Sequence, residues 1–291
     1  QFTDSFNQPL NTWDVSSVEN MSSMFQYARS FNQPLNNWNV SGVTKMQSMF
    51  SDADSFDQDL GSWDVSNVTR LDYMFLNADV FTGQGLDQWN VGNCTNMSHM
   101  LYNTPISVDL SSWDVSKVTR MDHMFYNVRN YNANIESWNT QSNTTTRQMF
   151  YANNSFDRDL SNWDMSNVTD ARTMFNNCGS FDQDLSGWDL SGIVQITDGD
   201  GVNGTVITGN AVNNNGDRSS GIVNIFTSSG MSKANLDATI SDWCDNSGIV
   251  NGAQLGTIPL NGTSETLDPS TITKMQAKNM TAKYTNGNFV Y

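Results

Sequence analysis

The side chains best suited to chemistry in this sequence are short, oxygen-bearing and regularly spaced. An Asp or Asn directly follows eight of the nine tryptophans, namely Asp14, Asn39, Asp64, Asn90, Asp114, Asn139, Asp164 and Asp189. Carboxylate and amide oxygens suit hydroxyl-rich glycans, basic peptides or hard cations such as Ca²⁺. The same residues would also suit a structural ladder in which their side chains hydrogen-bond between neighbouring repeats. Binding and structural roles both stay open for this set.

Two further groups have metal-ligand chemistry. Asp198 and Asp200 lie in an Asp-Gly-Asp-Gly sequence that is similar to part of a calcium loop. Gly209 stands where an EF-hand loop needs Glu, so a plain turn is the competing interpretation. His99 and His123 occupy the same repeat position on adjacent repeats, where they could share a metal ion or simply fill a variable exposed position. Apart from Ca²⁺, no cofactor is expected.

The remaining reactive residues are few. Cys94 and Cys178 replace apolar repeat residues, which predicts buried thiols, and a bond between Cys178 and Cys244 stays open. Three cysteines cannot form a disulfide framework. The sequence has no nucleophile elbow, phosphate-binding loop or dinucleotide fingerprint. We therefore expect a protein that is not an enzyme.

Charge and hydropathy exclude several classes of partner. The 291 residues include 14 Lys and Arg against 30 Asp and Glu, for a formal net charge of −16. Such a surface repels nucleic acid and anionic lipid. No apolar run approaches the roughly 20 residues that a membrane-spanning helix needs. We expect neither a nucleic-acid partner nor a membrane span.

An internal repeat of 25 residues organises most of the chain. Tryptophans recur at intervals of 24 to 26 residues, at Trp13, Trp38, Trp63, Trp89, Trp113, Trp138, Trp163 and Trp188. Aromatic residues or Ile recur in the same phase, at Phe6, Phe31, Phe56, Phe81, Ile106, Tyr131, Phe156 and Phe181. Because one short repeat cannot bury so many apolar side chains alone, the repeats are expected to stack.

The spacing inside a repeat predicts its secondary structure. Leu35, Trp38 and Val40 have the spacing of the short strand in a leucine-rich repeat. The apolar residues from Val43 to Ala53 then fit one face of a short helix, with Ser41 as its N-cap. The expected fold is an α/β repeat solenoid, leucine-rich-repeat-like, with a short parallel strand and a short helix in each 25-residue coil. About eight coils would fill residues 1–193.

Residues 194–291 do not continue the repeat. Short β-like runs alternate with turns, and Met231–Trp243 has helical spacing. We expect a small β-rich C-terminal region that either caps the solenoid or serves as an attachment or oligomerisation module. Residue 1 begins inside a repeat, so we also expect that the chain derives from a longer protein or that another molecule covers this end.

The repeat is similar to that of a known family. Stretches such as residues 63–69 (WDVSNVT), followed by Met74-Phe75, resemble the BspA-like, leucine-rich-repeat-related surface protein family. Its 25-residue repeats were formerly grouped as a domain of unknown function in mycoplasma surface lipoproteins. The resemblance covers roughly residues 1–193. It implies a secreted or cell-surface protein, adhesion or partner binding, and no known catalysis.

These observations favour a non-enzymatic extracellular surface protein. It would mediate adhesion or recognition of a protein or glycan through the strand face of the solenoid. The alternative is a self-assembling structural subunit of an extracellular fibre, sheath or virion appendage. A calcium-dependent or hydrolytic carbohydrate module is a third interpretation. Glycosylation sequons would matter in a eukaryotic secretory pathway, although the composition alone produces most of them; five examples are Asn67, Asn93, Asn167, Asn203 and Asn261.

Overall fold

A computed structural model describes residues 4–193, 225, 229–245, 254–257, 259–260, 266–278, 280–285, 288 and 290. The chain forms two compact units, Gln1–Asn143 and Thr144–Tyr291. The regular elements are a 3₁₀ helix at Leu86–Gln88, α1 at Lys233–Asp245, β1 at Gln254–Thr257, α2 at Pro269–Ala277 and β2 at Thr281–Lys283. The expected boundary between residues 193 and 194 stays a prediction.

The expected strand of each coil, as we call one 25-residue repeat, is absent from the described residues. Its place is taken by two tight turns. Trp38 N donates to Leu35 O at 3.0 Å, and Val43 N donates to Val40 O at 2.9 Å. The described strands β1 and β2 both lie outside the repeats. An α/β solenoid with a strand and a helix in each coil is therefore wrong for this chain.

The segment expected to be helical is a run of turns that bonds to the next coil. We call it the turn segment (residues 20–28 in the first coil). Every second amide crosses to the next coil at 2.8–2.9 Å: those of Met21, Ser23, Phe25 and Tyr27 donate to the carbonyls of Lys45, Gln47, Met49 and Ser51. The amides between them bond within the coil, as Met24 N does to Met21 O. In the second unit, Gln148 N donates to Arg172 O in the same way.

Left-handed residues make this alternation possible. Each turn segment has two non-glycine residues with positive φ, four residues apart, such as Ser48 (φ 54°) and Asp52 (φ 56°). An α-helix would direct every amide along its own axis, whereas left-handed residues turn alternate amides towards the neighbouring coil. Each such residue costs roughly 1–2 kcal/mol, which the ladder between coils offsets. Ser41 accordingly caps no helix; its amide donates to Asn39 Oδ1 at 3.2 Å.

The core of each unit consists of stacked rows. Neighbouring indoles lie nearly parallel, with Trp38 and Trp63 rings 6.5 Å apart. The indole nitrogen of Trp63 donates back to Leu35 O at 3.1 Å. Phenyl rings also stack within a coil, since Phe50 and Phe56 have centroids 4.0 Å apart. The indole N–H therefore has a buried partner, which removes the usual cost of burying a polar group.

Residues after the last coil continue its contacts. Trp243 in α1 donates from its indole nitrogen to Leu185 O at 3.1 Å, as Trp188 does to Leu160 O at 2.8 Å. Phe175 N donates to Ile225 O, which stands where a next coil would supply a carbonyl. Helix α1 thus occupies the position of a further coil, although its backbone is helical.

The described residues of the C-terminal region contain fewer strands than expected. Among its described residues, α1 and α2 are the longer elements, and the helical spacing predicted at Met231–Trp243 is confirmed by α1. Strands β1 and β2 pair in parallel, with an irregular register between Gln254↔Thr281 and Thr257↔Lys283. The β-like runs expected between residues 194 and 226 lie almost wholly outside the described residues.

Four residues between positions 140 and 153 are polar and buried. Thr140, Asn143, Thr146 and Asn153 are all buried, at positions where other coils have apolar side chains. Asn153 is fully buried, and neither of its amide atoms has a hydrogen-bond partner among the described residues. Ala53 and Ala78 occupy the same position in other coils. An unsatisfied buried amide costs free energy that an alanine does not.

Replacing Asn153 by Ala should stabilise the protein. We expect the free energy of unfolding to rise by about 1–2 kcal/mol, because Asn153→Ala removes unsatisfied buried polar atoms. Urea unfolding followed by tryptophan fluorescence would measure this. The reciprocal variant Ala53→Asn should lower stability. A destabilised N153A protein would contradict the stated cause.

The contact between Trp243 and the last coil can be tested in the same way. Trp243→Phe leaves Leu185 O without its indole donor. The free energy of unfolding of the second unit should therefore fall by about 1–3 kcal/mol. Trp13→Phe is the matched control, since Trp13 is 53% exposed. Equal unfolding midpoints for the two variants would argue against the role assigned to Trp243.

Candidate binding surfaces

The eight Asp and Asn residues that follow the tryptophans, six in the first unit and two in the second, share one local geometry. We call them the Asx row: Asp14, Asn39, Asp64, Asn90, Asp114, Asn139, Asp164 and Asp189, all exposed. In each, one side-chain oxygen accepts the backbone amide two residues on, at 2.8–3.2 Å. Each side chain is therefore held by an Asx turn inside its own coil. In the described part of the first unit, Asp14, Asn39, Asp64, Asn90 and Asp114 do not form the structural ladder considered from the sequence.

A different set of Asn and Asp residues forms the ladder between coils. Asn32 Oδ1 accepts from Asp57 N at 3.0 Å, and Asp57 Oδ1 accepts from Thr82 N at 2.9 Å. In the second unit, Asp182 N donates to Asp157 Oδ1 at 3.0 Å. Each of these Asn and Asp residues directly follows a phenylalanine of the series that recurs in phase with the tryptophans, such as Phe31, Phe56 and Phe156. Their position after this phenylalanine is the sequence signal that could have identified them.

Contacts with serine favour the charged form of four acids of the Asx row, Asp14, Asp64, Asp114 and Asp164. Hydrogen bonds from the side chain and then the backbone of the serine two residues on lower the pKa of Asp64. The same contacts, from Ser116, lower the pKa of Asp114. Both carboxylates therefore stay ionised at somewhat more acidic pH than an ordinary Asp. The row presents fixed hydrogen-bond acceptors rather than proton donors.

A groove of about 470 Å³ lies elsewhere on the first unit. We call it the notch; it is lined by Asp79, residues 103–107 and residues 127–130. Asp79 and Arg129 give it charges of both signs, while Pro105 and Ile106 add apolar surface. Side-chain amides border it in a short ladder, with Asn127 Nδ2 donating to Asn103 Oδ1 at 2.7 Å.

The notch coincides with a departure from the repeat. Phe81 comes three positions after Ala78, whereas its equivalent, Ile106, comes only two positions after Thr104. This coil therefore lacks one residue. Ile106 also replaces the aromatic ring found in the other coils. A missing residue and a smaller side chain leave space at the surface. The interval of 24 residues between Trp89 and Trp113 was the available sequence signal.

The two histidines are neighbours, as the sequence predicted, although they lie on the turn segment and not on a helix. Their rings stack with centroids 4.2 Å apart. The repeat pattern did not reveal a third member of this group, Asp122, whose Oδ2 lies 3.6 Å from His123 Nδ1 and 3.9 Å from His99 Nδ1. Burial alone would raise the pKa of Asp122, but hydrogen bonds from His123, Ser98 and Arg120 outweigh it and lower the pKa. The carboxylate is therefore ionised.

The other candidate residues divide between described and undescribed parts of the chain. Asn67, Asn93 and Asn167 are exposed, and the first two donate their side-chain amides to carbonyls of the preceding coil at 2.8 Å. The calcium candidates Asp198 and Asp200 and the sequons at Asn203 and Asn261 lie outside the described residues.

The three thiols are buried and free. This confirms the burial predicted for Cys94 and Cys178, and the bond considered between Cys178 and Cys244 is not formed. Burial raises the pKa of Cys94 and Cys178 to about 12 and that of Cys244 to about 11. At neutral pH all three are protonated thiols and poor nucleophiles.

Comparison with known proteins places the repeats in a family. The model of the family described as mycoplasma protein of unknown function, DUF285, matches residues 1–111 and 104–199. The chain belongs to this family. The match confirms the resemblance to the mycoplasma repeat family that was inferred from residues 63–69 and their equivalents. No curated protein and no solved structure matches the chain. Neither described helix has the length and apolar character needed to cross a bilayer.

Proposed function

We propose that this chain is a non-enzymatic extracellular surface protein that recognises a protein or glycan partner through the Asx row. The observation that carries the proposal is the repetition of one exposed, turn-fixed oxygen acceptor at the same position of stacked coils. Since the described coils have no strand face, the row stands on tight turns instead. The resemblance to surface proteins supports an extracellular setting.

The fixed oxygen acceptors of the row support recognition of hydroxyl or cationic groups. Each Asx turn fixes its side chain before any ligand arrives, so less conformational entropy is lost on binding. Asp and Asn alternate in the first coils, which limits repulsion between neighbouring carboxylates. A ligand that spans several coils would gain by binding several weak sites at once.

The protonation state of the row supports a binding role over a catalytic one. A general acid needs a pKa near the working pH, whereas contacts with serine lower the pKa of Asp14, Asp64, Asp114 and Asp164. Such carboxylates accept hydrogen bonds or pair with cations. The notch offers a second contact of mixed charge in the first unit.

Substitutions in the row should separate the ligand classes. In the triple variant Asp64→Ala, Asn90→Ala and Asp114→Ala, binding on a glycan or peptide array should fall at least about tenfold, since three adjacent acceptors are lost. The double variant Asp64→Asn and Asp114→Asn keeps the Asx turn, as Asn39 and Asn90 show, and removes only charge. Retained binding in the double variant would indicate a glycan, and lost binding a basic peptide.

The control for this experiment is the folded state of each variant. Thermal unfolding would show whether the Ala variant keeps its coils, because losing three Asx turns also lowers stability. A folded Ala variant that binds as tightly as the original protein would remove the row from the proposed function.

The alternative is a structural subunit that assembles end to end. One contact counts against assembly through the last coil, because Trp243 already donates to Leu185 O there. We therefore expect a monomer of 32.4 kDa in light scattering after size-exclusion chromatography, even at millimolar concentration. Growth of mass with concentration would favour the structural subunit instead.

A further inference from the structure

A cluster of three side chains in the first unit has the composition of a transition-metal site. His99, Asp122 and His123 each offer one ligand atom, and these atoms all lie within 4.8 Å of one another. The chain has only two histidines, and both are in this cluster. Asp122 is 9% exposed, while the side chains of His99 and His123 are 19% and 14% exposed.

The backbone positions these groups before any ion arrives. His99 N donates to Asp122 O at 2.9 Å, one of the bonds between neighbouring coils, so the two residues are held side by side. Both histidines occupy left-handed positions, with φ of 57° and 59°. The other coils place Ser, Tyr, Gln or Thr at this position, and the ladder forms with all of them. Histidine is therefore not required there by the fold.

Asp72 occupies the same repeat position as Asp122, in the coil next to the cluster, but the two carboxylates are held differently. Asp72 is held by Arg70 through two hydrogen bonds of 2.9 and 2.8 Å. The equivalent bonds from Arg120 to Asp122 are longer, at 3.2 and 3.3 Å, and the Arg120 side chain is 55% exposed. Asp122 Oδ2 can therefore turn towards a cation more readily than the carboxylate of Asp72.

We propose that His99, Asp122 and His123 bind a divalent transition-metal ion, with Zn²⁺ as the reference case. Two imidazole nitrogens and one carboxylate oxygen are a common ligand set for zinc, completed by water. Zinc–nitrogen bonds of 2.0–2.1 Å place ligand atoms about 3.4 Å apart in a tetrahedral site. The separations of 3.6 and 3.9 Å from Asp122 Oδ2 approach this value, and a small splay of the stacked rings accommodates the ion.

The neighbouring aromatic rings would support the site. Tyr73 stacks on His99 with centroids 4.6 Å apart, and Tyr102 stacks on Tyr126 at 4.3 Å beside the histidines. Rings packed around ligands limit their motion and exclude water, which strengthens the interaction with an ion. An ion here would link two adjacent coils of the first unit.

Calorimetric titration of the full chain with zinc chloride would test the proposal. The protein must be free of a histidine tag and treated with a chelator. We expect one Zn²⁺ per chain, and a ligand-field spectrum in the visible when Co²⁺ replaces it. His99→Tyr and His123→Gln, which use side chains found at this position in other coils, should each weaken binding by at least about tenfold. Asp122→Asn should do the same, while the matched control Asp72→Asn should not.

A variant that binds Zn²⁺ more tightly provides a control, because misfolding would lower the affinity and not raise it. Arg120→Asn, which uses the residue found at Asn20 and Asn96, removes a positive charge and a competitor for Asp122. It should bind Zn²⁺ several-fold more tightly. Absence of binding to the original protein, unchanged affinity in the H99Y and H123Q variants, or an R120N protein that binds no more tightly would each overturn the proposal.

Discussion

The backbone hydrogen bonds between neighbouring coils are the interaction on which the rest of the repeat structure depends. Every second amide of the turn segment donates to the next coil, as Ser48, Phe50 and Asp52 do to Asp72, Met74 and Leu76. This ladder sets the spacing at which indoles and phenyl rings stack. It also requires left-handed residues. The conformational free energy that each of them costs is offset because each one directs an amide to a hydrogen-bond partner. Residues on the turn segment are consequently held in register from coil to coil.

The sequence predicted the repeat and its buried residues well, and its backbone poorly. Most Trp, Leu, Met and Phe positions of the repeat are buried as expected, although Trp13 is exposed, because apolar periodicity reports burial directly. The secondary structure was wrong because apolar spacing of three residues, as at Val43, Met46 and Met49, fits consecutive turns as well as a short helix. Nothing in apolar spacing reveals the sign of φ. Polar residues at the left-handed positions, such as Asp52, Asn77 and Asn103, were the missed indication.

The candidate sites were predictable to different degrees for the same reason. The Asx row and the pair of histidines follow from position within the repeat, so the sequence found them. Asp122 joins the histidines only because the ladder pairs it with His99, a register that required the correct backbone. The notch arises from one missing residue near Pro105 together with a smaller side chain at Ile106. Irregularities in an otherwise strict repeat thus mark the places where this surface departs from a uniform scaffold.

Hydrogen exchange resolved to single amides, by NMR or by mass spectrometry with electron-transfer fragmentation, tests the central claim most directly. We expect slow exchange for the amides of Met46, Ser48, Phe50 and Asp52, which donate to the next coil. Exchange should be fast at Asn39 and Asp64, whose amides donate no hydrogen bond among the described residues. The opposite pattern, with protection at the residues around each tryptophan and exchange in the turn segment, would restore a strand in each coil and contradict the account.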